Sequence, residues 1–595
     1  MPITNNGKKP YVTFENWDAG IADDVYSGYN LIKDISVKRK GIASVGVKPT
    51  GLSVYKSTGV VVTADASTDK LTSLVNWTDG SNNVVGIAFT IASTGTLPAG
   101  LSANTVYYTG YVSGTEFKVS TSMVNADAGT YVDITDAGTG THTVTFINMG
   151  RVSHFAKDYR VGSDTTYVLD ANGRVWVAGE GSTTFRLIDG NPRGGSDYAY
   201  GNGIAVWKDY LLVFRNTKID AWGPLSSAFA SRAWDAGIVT LQTNVGNSPT
   251  LTHTAIVGQD DILYYIDGRY IGSINEVSGQ TFDPGTPATF NANVNALDLP
   301  VGTLTYDIEE YGRYIVTSAV RDKISYIYPW DRTSSSINLP IEIPETNPSH
   351  LVNINNVLYC LTNGRPAIYA TNLSSVQLIR SIPQHLAGED MFDNTLSITC
   401  ATKMGGEIFF GMTAGGSGTT SANTGVYAFN PANNSIRLEN TMTTGNNSYQ
   451  SSVGAVFPFN FLSNGFIQYF FSFYNGTYYG VEFVNEYPYN NYEAEIITPF
   501  IVLDSNVYDN RHISEVVFYL AQAIGGSDAI KLQYRTEEGA TWTDVATVTS
   551  AESGISPMVR VPCSINENHL QFRISLSSNN TTGYTYVRLR KVEII

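Results

Sequence analysis

Between about residues 152 and 484 one unit recurs seven times, and this recurrence constrains the fold more than any other feature of the chain. Each unit reads as a short β run, an apolar strand, a tight polar turn and a second apolar strand. The turns fall at Asn172-Gly173, Asn216, Asp267-Gly268, Arg321-Asp322, Asn363-Gly364, the Gly/Ser/Thr loop near Gly416, and Asn475-Gly476. Asn172 to Asn475 is 303 residues in six steps, a period of about 50, which is the spacing of propeller blades. The expectation is an all-β fold whose residues 149–492 form a seven-bladed β-propeller. Six blades plus an attached sheet is the alternative, decided by the last unit. A propeller is a platform, so its function has to be read from what it carries.

Local chemistry supports the hairpins. Asn-Gly and Asp-Gly supply the positive φ angles that tight two-residue turns require. Thr166–Leu169 should therefore turn through Asn172-Gly173 into Arg174–Ala178, and Ile262–Ile266 through Asp267-Gly268 into Arg269–Ile271. The units should open near Val152, Gly201, Leu251, Val301, Ser349, Thr395 and Ser452. Sustained 3.6-residue periodicity is nearly absent; Ser227–Trp234 and Ser514–Ala523 are the best helical stretches, and both are short.

The flanks read differently. Residues 1–50 are an extended segment with one strand near Ile32–Val37, followed by a basic triplet, Lys38-Arg39-Lys40. That triplet could contact phosphate, but guarding a strand edge is the simpler use. Residues 51–148 are rich in Thr, Ser, Gly and Ala. Five short strand candidates (Gly59–Ala64, Val84–Ile91, Thr105–Tyr111, Phe117–Ser120 and Thr141–Phe146) predict an inserted Ig-like β-sandwich, expected to project outward. Residues 493–595 predict a second, C-terminal β-sandwich, with a hairpin at Gln533–Thr543 (QYRTEEGATWT). The aromatic run Tyr469–Tyr492 reads first as packing and second as a sugar-stacking or subunit-contact surface.

Thirty-seven basic against 53 acidic residues give 37 − 53 = −16. Such a surface disfavours sequence-specific nucleic-acid binding; it reads first as an ordinary acidic surface and second as a wall along which DNA slides without adhering. Cys360, Cys400 and Cys563 are three, far apart and without CxxC spacing, so neither a disulfide framework nor a zinc site is expected. No run of 18 apolar residues occurs, so no membrane-spanning segment is expected.

The search for chemistry finds no nucleophile elbow, HExxH or P-loop. His142, His154, His253, His350, His385, His512 and His569 are scattered without metal-ligand spacing. Asp170-Ala171-Asn172-Gly173 has the start of a calcium loop but Gly181 at its twelfth position, so it reads as a hairpin turn. The acid pairs Asp260-Asp261, Glu309-Glu310 and Glu389-Asp390 are neighbours on β segments and point to opposite faces, although acids from different blades could meet at the axis. No catalytic, cofactor or metal residues are assigned.

Three runs carry a resemblance. GTLPAGLSANTVYYTGYVSGTEFKVSTS (Gly95–Ser122), closing with DAGTGTHTV (Asp136–Val144), resembles a small β module found within phage virion proteins. FENWDAGIAD (Phe14–Asp23) with NLIKDISVKRKGIASVG resembles the start of phage tail proteins. ITPFIVLD (Ile497–Asp504) with YRTEEGATW resembles the terminal sandwich of tail proteins that also hold a propeller. The family with the nearest architecture is the tail nozzle, or tubular tail protein B, of short-tailed bacteriophages. The resemblance implies a virion protein without enzyme activity or cofactor: a homo-oligomer, expected to be a hexamer, that meets the adaptor and fibres while genome DNA passes through it during ejection. The alternatives are a peripheral tail protein that binds a receptor glycan, and a propeller depolymerase.

Overall fold

A computed structural model describes residues 12–14, 21, 31–33, 35–36, 43–45 and 50–51 of the N-terminal segment. Beyond it come 59–75, 85–158, 160, 165–178, 185–188, 202–242, 254–337, 339–345, 349–363, 365–387, 394–416, 423–442, 451–461, 467–485, 492–503, 511–525, 528–537, 540–550, 557–578 and 588–595. The protein is all-β and built on a β-propeller. Antiparallel units of four strands follow one another from Val152, their first strands being Val152–Lys157, Gly203–Trp207, Ala255–Val257, Leu304–Tyr311, Ser349–Ile354, Asn394–Met404 and Ser452–Phe461. Each first strand packs on the next, and Ser452–Phe461 packs back on Val152–Lys157, closing the ring.

The fourth strand of the seventh unit is not local. Thr50–Gly51 pairs antiparallel with the strand Tyr479–Asn485, Gly51 opposite Glu482. The chain thus begins the ring by finishing its last sheet, then leaves for residues 59–146 before returning at Val152.

The second strands of the units are buried on both faces, so they read as continuous apolar runs such as Tyr210–Phe214 rather than as alternation, while fourth strands such as Val376–Ser381 are more exposed. Successive residues feed different cores. Leu211 and Val213 join the cluster with Val168 and Trp176 of the first unit, while Leu212 and Phe214 join Leu263 and Tyr265 of the third. The same arrangement continues round the ring: every seam between neighbouring units is filled by an apolar cluster, one of which spans both seams of the first unit. Removing the apolar surface of one unit would expose two seams, which makes the ring cooperative. The hairpins form where expected, but only their glycines take a positive φ, Gly173 at +73° and Gly268 at +64°: Asp267 pairs with Tyr270 across a Gly268-Arg269 turn, and Asn172 lies in a longer loop closed by Asp170 and Arg174. Ser227–Trp234 yields only a single 3-10 turn, Phe229–Ser231, before the strand Ala233–Thr240, and Ser514–Ala523 falls in the strand Arg511–Leu520.

The inserted segment differs from the expected two-sheet sandwich. It is a closed six-stranded barrel in the order Glu116–Ser120, Lys70–Ser73, Val60–Asp65, His142–Phe146, Ala88–Ser93, Tyr107–Tyr111. Lys70–Ser73, absent from the sequence reading, is the reason. It lets Glu116–Ser120 pair on both sides, Glu116 with Thr72 and Phe117 with Tyr111, so no sheet edge remains. Gly110 makes room for the Tyr131 ring, since a Cβ there would lie 2.1 Å from it. Nor does the barrel simply project. Ala88, Tyr108, Met123 and Ala126 share a cluster with Phe185 and Leu187 of the first unit, and Arg186 Nη1 donates to Asp127 at 2.5 Å.

The C-terminal residues form two sheets, but not an independent sandwich. One sheet holds Arg588–Ile594, Arg511–Leu520 and Met558–Glu567 with N-terminal strands Val12–Phe14, Ile35–Ser36 and Ala43–Val45. The other runs from Thr543–Thr549 through Ala529–Arg535, His569–Ser578 and Tyr492–Ile497 to Leu31–Lys33. There Lys33 pairs in parallel with Leu438, making this sheet continuous with the sixth unit. Their shared core joins Phe518, Phe572 and Val592 to Ile354 and Leu361 of the fifth unit and Ile408 and Phe410 of the sixth. The strand expected near Ile32–Val37 is thus a welding segment; Lys38-Arg39-Lys40 lies outside the described residues.

Candidate functional site: an acid–histidine cluster at the inner strands

The inner strands of the fourth, fifth and sixth units bring together titratable groups that the sequence keeps apart. Asp307 and Glu309 alternate along Leu304–Tyr311, opposite Ser318 and Val316, and so share the face turned toward the fifth unit. Asp307 accepts the backbone N–H of Leu351 at 2.9 Å, across the seam, and that of Ile308 at 2.9 Å. His350, beside Leu351, places Nδ1 3.9 Å from the Asp307 carboxylate. The imidazole also hydrogen-bonds Ile398 of the sixth unit, whose carbonyl accepts from Asn363 Nδ2 at 2.6 Å.

These groups are partly buried, with side-chain exposures of 16% for Asp307 and 28% for His350. Burial dominates their protonation. It pushes Asp307 up to about 7 against the two amide hydrogen bonds. It also pushes Glu309 up to about 7, with Lys403 opposing and the Asp307 charge reinforcing. His350 is held down to about 4 by the same burial. Burial therefore favours a neutral imidazole beside a carboxyl held above its usual range.

Glu309-Glu310 divide as adjacent residues on a strand must. Asp260-Asp261 lie not on a β segment as expected but in the turn between Ala255–Val257 and Leu263–Asp267, where Asp261 takes a φ of +63°. Asp261 pairs with Lys208 of the second unit, while Asp260 and Glu310, from the third and fourth units, meet on one guanidinium. Arg332 Nη1 lies 2.8 Å from Asp260, and its Nη2 contacts Glu310. Burial raises the Asp260 carboxyl, but hydrogen bonds from Tyr264 and Arg332 outweigh it and hold the group below its usual range. These acids are neutralised by a cation and fasten a seam. Asp307 and Glu309 come from one strand and one face, not from two sides of a cleft, so neither set supplies the opposed carboxylates of glycoside hydrolysis. Glu389-Asp390 lies outside the described residues.

The other sequence candidates are structural. Asp170 accepts from the backbone N–H groups of Gly150, Asn172 and Arg174 and from Trp176 Nε1 at 2.9–3.0 Å, so both oxygens serve the hairpin. His142 is buried between Ser93 and Ala137, and His512 bonds Asn566; His253 lies outside the described residues. Cys360 is buried, and burial pushes the Cys400 thiol up to about 11 and Cys563 upward. In the aromatic run, Tyr469, Phe470, Phe471 and Phe473 are buried in seam cores, while Tyr474 stacks on Tyr479 at 4.5 Å. Tyr487 and Tyr489 lie outside the described residues. Among the described residues no three His, Cys, Asp or Glu side chains are grouped to hold a metal ion, and no helix is long and apolar enough to cross a membrane.

No family model and no curated protein matches this chain. Among solved structures it is similar to one described as YCF48 bound to D1 peptide, at 10% identity and a TM-score of 0.36, covering 57% of this chain and 92% of that one. It is also similar to the structure of the Dos1 propeller, at 11% identity and a TM-score of 0.36, covering 74% and 96%.

Proposed function

We propose that this chain is a structural component of a phage tail, forming with copies of itself the distal tube or nozzle that conducts DNA during ejection and anchors fibres. The supporting observation is how the two ends of the chain are locked. Val12–Phe14 pairs with the strand Arg588–Ile594, Leu31–Lys33 bridges Tyr492–Ile497 to the sixth unit, and Thr50–Gly51 completes the seventh. The run that resembles tail proteins takes part directly: Phe14 and Ile21 enter the large shared core, and Ile21 donates to Ile436 O at 2.7 Å and accepts from Arg380. A body tied at both ends resists being pulled apart, which is what a force-bearing tube wall requires. The acidic balance of −16 suits a conduit for a polyanion.

Copy number per particle tests the reading. Quantitative mass spectrometry of purified virions should find six or twelve copies, and particles made without the protein should lack the distal tail. Complete tails in its absence would overturn it.

A further inference from the structure

The outermost strands of a propeller are its free edges, and most of them are guarded here. In the first unit Arg186–Leu187 is two residues long and carries the barrel. In the second, Ala233–Thr240 holds Asp235 and bends at Gly237, φ +67°. In the fourth, Ile341–Ile343 is three residues between Pro340 and Pro344. Val376–Ser381 of the fifth is bulged, and its Arg380 donates to Ile21 O. Ser435–Thr441 of the sixth is continued by Leu31–Lys33, and Thr50–Gly51 is itself the last strand of the seventh. Shortness, charge, proline, bulges and added strands are the devices that keep an edge from pairing with other chains.

The third unit is the least guarded. Its outer strand, Phe290–Asp298, is nine residues long, with no proline, no base and no acid before Asp298. Among the described residues it pairs only with Tyr270–Glu276. A register shift beside Gly272 leaves Phe290–Asn293 as an unbroken run. Thr289 O accepts the N–H of Val277, so the bonds to the sheet alternate through Asn291 and Asn293, and the backbone groups of Phe290 and Ala292 point outward. Asn291, Ala292 and Asn293 are exposed. Asn291 and Asn293 share a face with Ser273 and Asn275, whereas Ala292 shares the face of Phe290 and Ile274.

The chain's own additions indicate the kind of occupant. Leu31–Lys33 and Thr50–Gly51 complete edges with two or three residues of a longer polypeptide segment. A strand laid along Phe290–Asn293 would span about 13 Å. Two convex rims meeting there would bury far less than the roughly 800 Å2 per partner of a stable interface, which argues against a second copy and for an extended segment of another protein. Its side chains would alternate, polar beside Asn291 and Asn293 and small apolar beside Ala292.

We propose that such a segment, from a fibre protein, adds to Phe290–Asn293 as a fifth strand of the third unit and anchors the fibre. This rests on the reading of the chain as a tail component. The test combines cryo-EM and quantitative mass spectrometry of virions carrying wild type, Ala292→Pro or Ala292→Lys, with unfolding midpoints of the purified proteins. Proline at 292 removes an N–H that the sheet does not use, so the midpoint should hold, whereas Asn293→Pro removes a ladder bond and should lower it. The wild-type map should show a fifth strand from a second protein, and both Ala292 variants should cut that protein's copy number about tenfold or more. If Ala292→Pro lowers the midpoint, Ala292→Lys carries the test. Tails that contain this protein with the edge bare, or with the second protein retained in full by the Ala292 variants, would overturn the inference and leave the tail reading standing. A fifth strand from a second copy, or from the same chain, would reject the fibre as occupant. Virions without this protein would overturn the tail reading, and the inference with it.

Discussion

The inserted barrel and the C-terminal sheets are all-β units of about 100 residues but stand in opposite relations to the propeller. The barrel has its own core, with Phe89, Phe117 and Phe146 packed edge to edge, and touches the ring through one patch on the first unit. The C-terminal sheets have no private core; theirs is also the core of the seam between the fifth and sixth units. Closing a sheet on itself makes a module. Extending a blade outward makes a part of the ring.

Mutations should separate the two cases. The farthest-reaching effects belong to the fused region. Arg437, buried between Glu407 and Glu439, has its pKa raised because the two carboxylates outweigh burial, and Arg437→Ala strands both acids. We expect a loss of about 3–5 kcal/mol. Phe572→Ala, removing a fully buried ring that meets Phe14 edge-on, should cost about the same. In both, calorimetry should show propeller and C-terminal sheets unfolding together at a lower temperature; separate transitions would break the comparison. Phe117→Ala in the barrel should cost about 3–5 kcal/mol as well, but locally. Hydrogen exchange should accelerate in 59–146 and leave the seams protected.

A smaller effect comes from the axis. Asp307 and Glu309 have folded pKa values raised above their unfolded ones, so the folded state holds their protons more tightly. Their contribution is full at acid pH and is lost as pH rises from about 4 toward 7. Asp307→Asn should therefore gain stability over wild type between pH 5 and pH 8, on the order of 1–2 kcal/mol given the partial solvent access. His350, held low, acts in the opposite sense: its contribution is present above pH 6.5 and fades as pH falls toward 4. A pH-independent difference between Asp307→Asn and wild type would refute the assignment. Smallest is Arg186→Ala, which loses a partly exposed ion pair to Asp127 and should cost under about 1 kcal/mol while loosening barrel exchange at Met123.

The ring was legible in sequence because its hairpins announce themselves locally. Asn172-Gly173 and Asp267-Gly268 are turn chemistry that one can read without knowing any partner, and the first strands begin within a few residues of the expected openings. What stayed hidden was non-local. Thr50–Gly51 is too short to show a period and pairs with a strand near the other end of the chain. Lys70–Ser73 is as brief, and missing it turned a barrel into a sandwich. The axial cluster left no trace either, because Asp307, His350 and Ile398 come from three units and meet only when the ring forms.

That late pairing bears on how the molecule is made. Thr50–Gly51 leaves the ribosome long before Tyr479–Asn485, the strand that must receive it. Meanwhile residues 59–146 can complete their own core as they emerge. The open arc of blades has to wait, exposing its first and last seams until Tyr479–Asn485 has emerged, and only then can the far earlier Thr50–Gly51 lock the seventh unit.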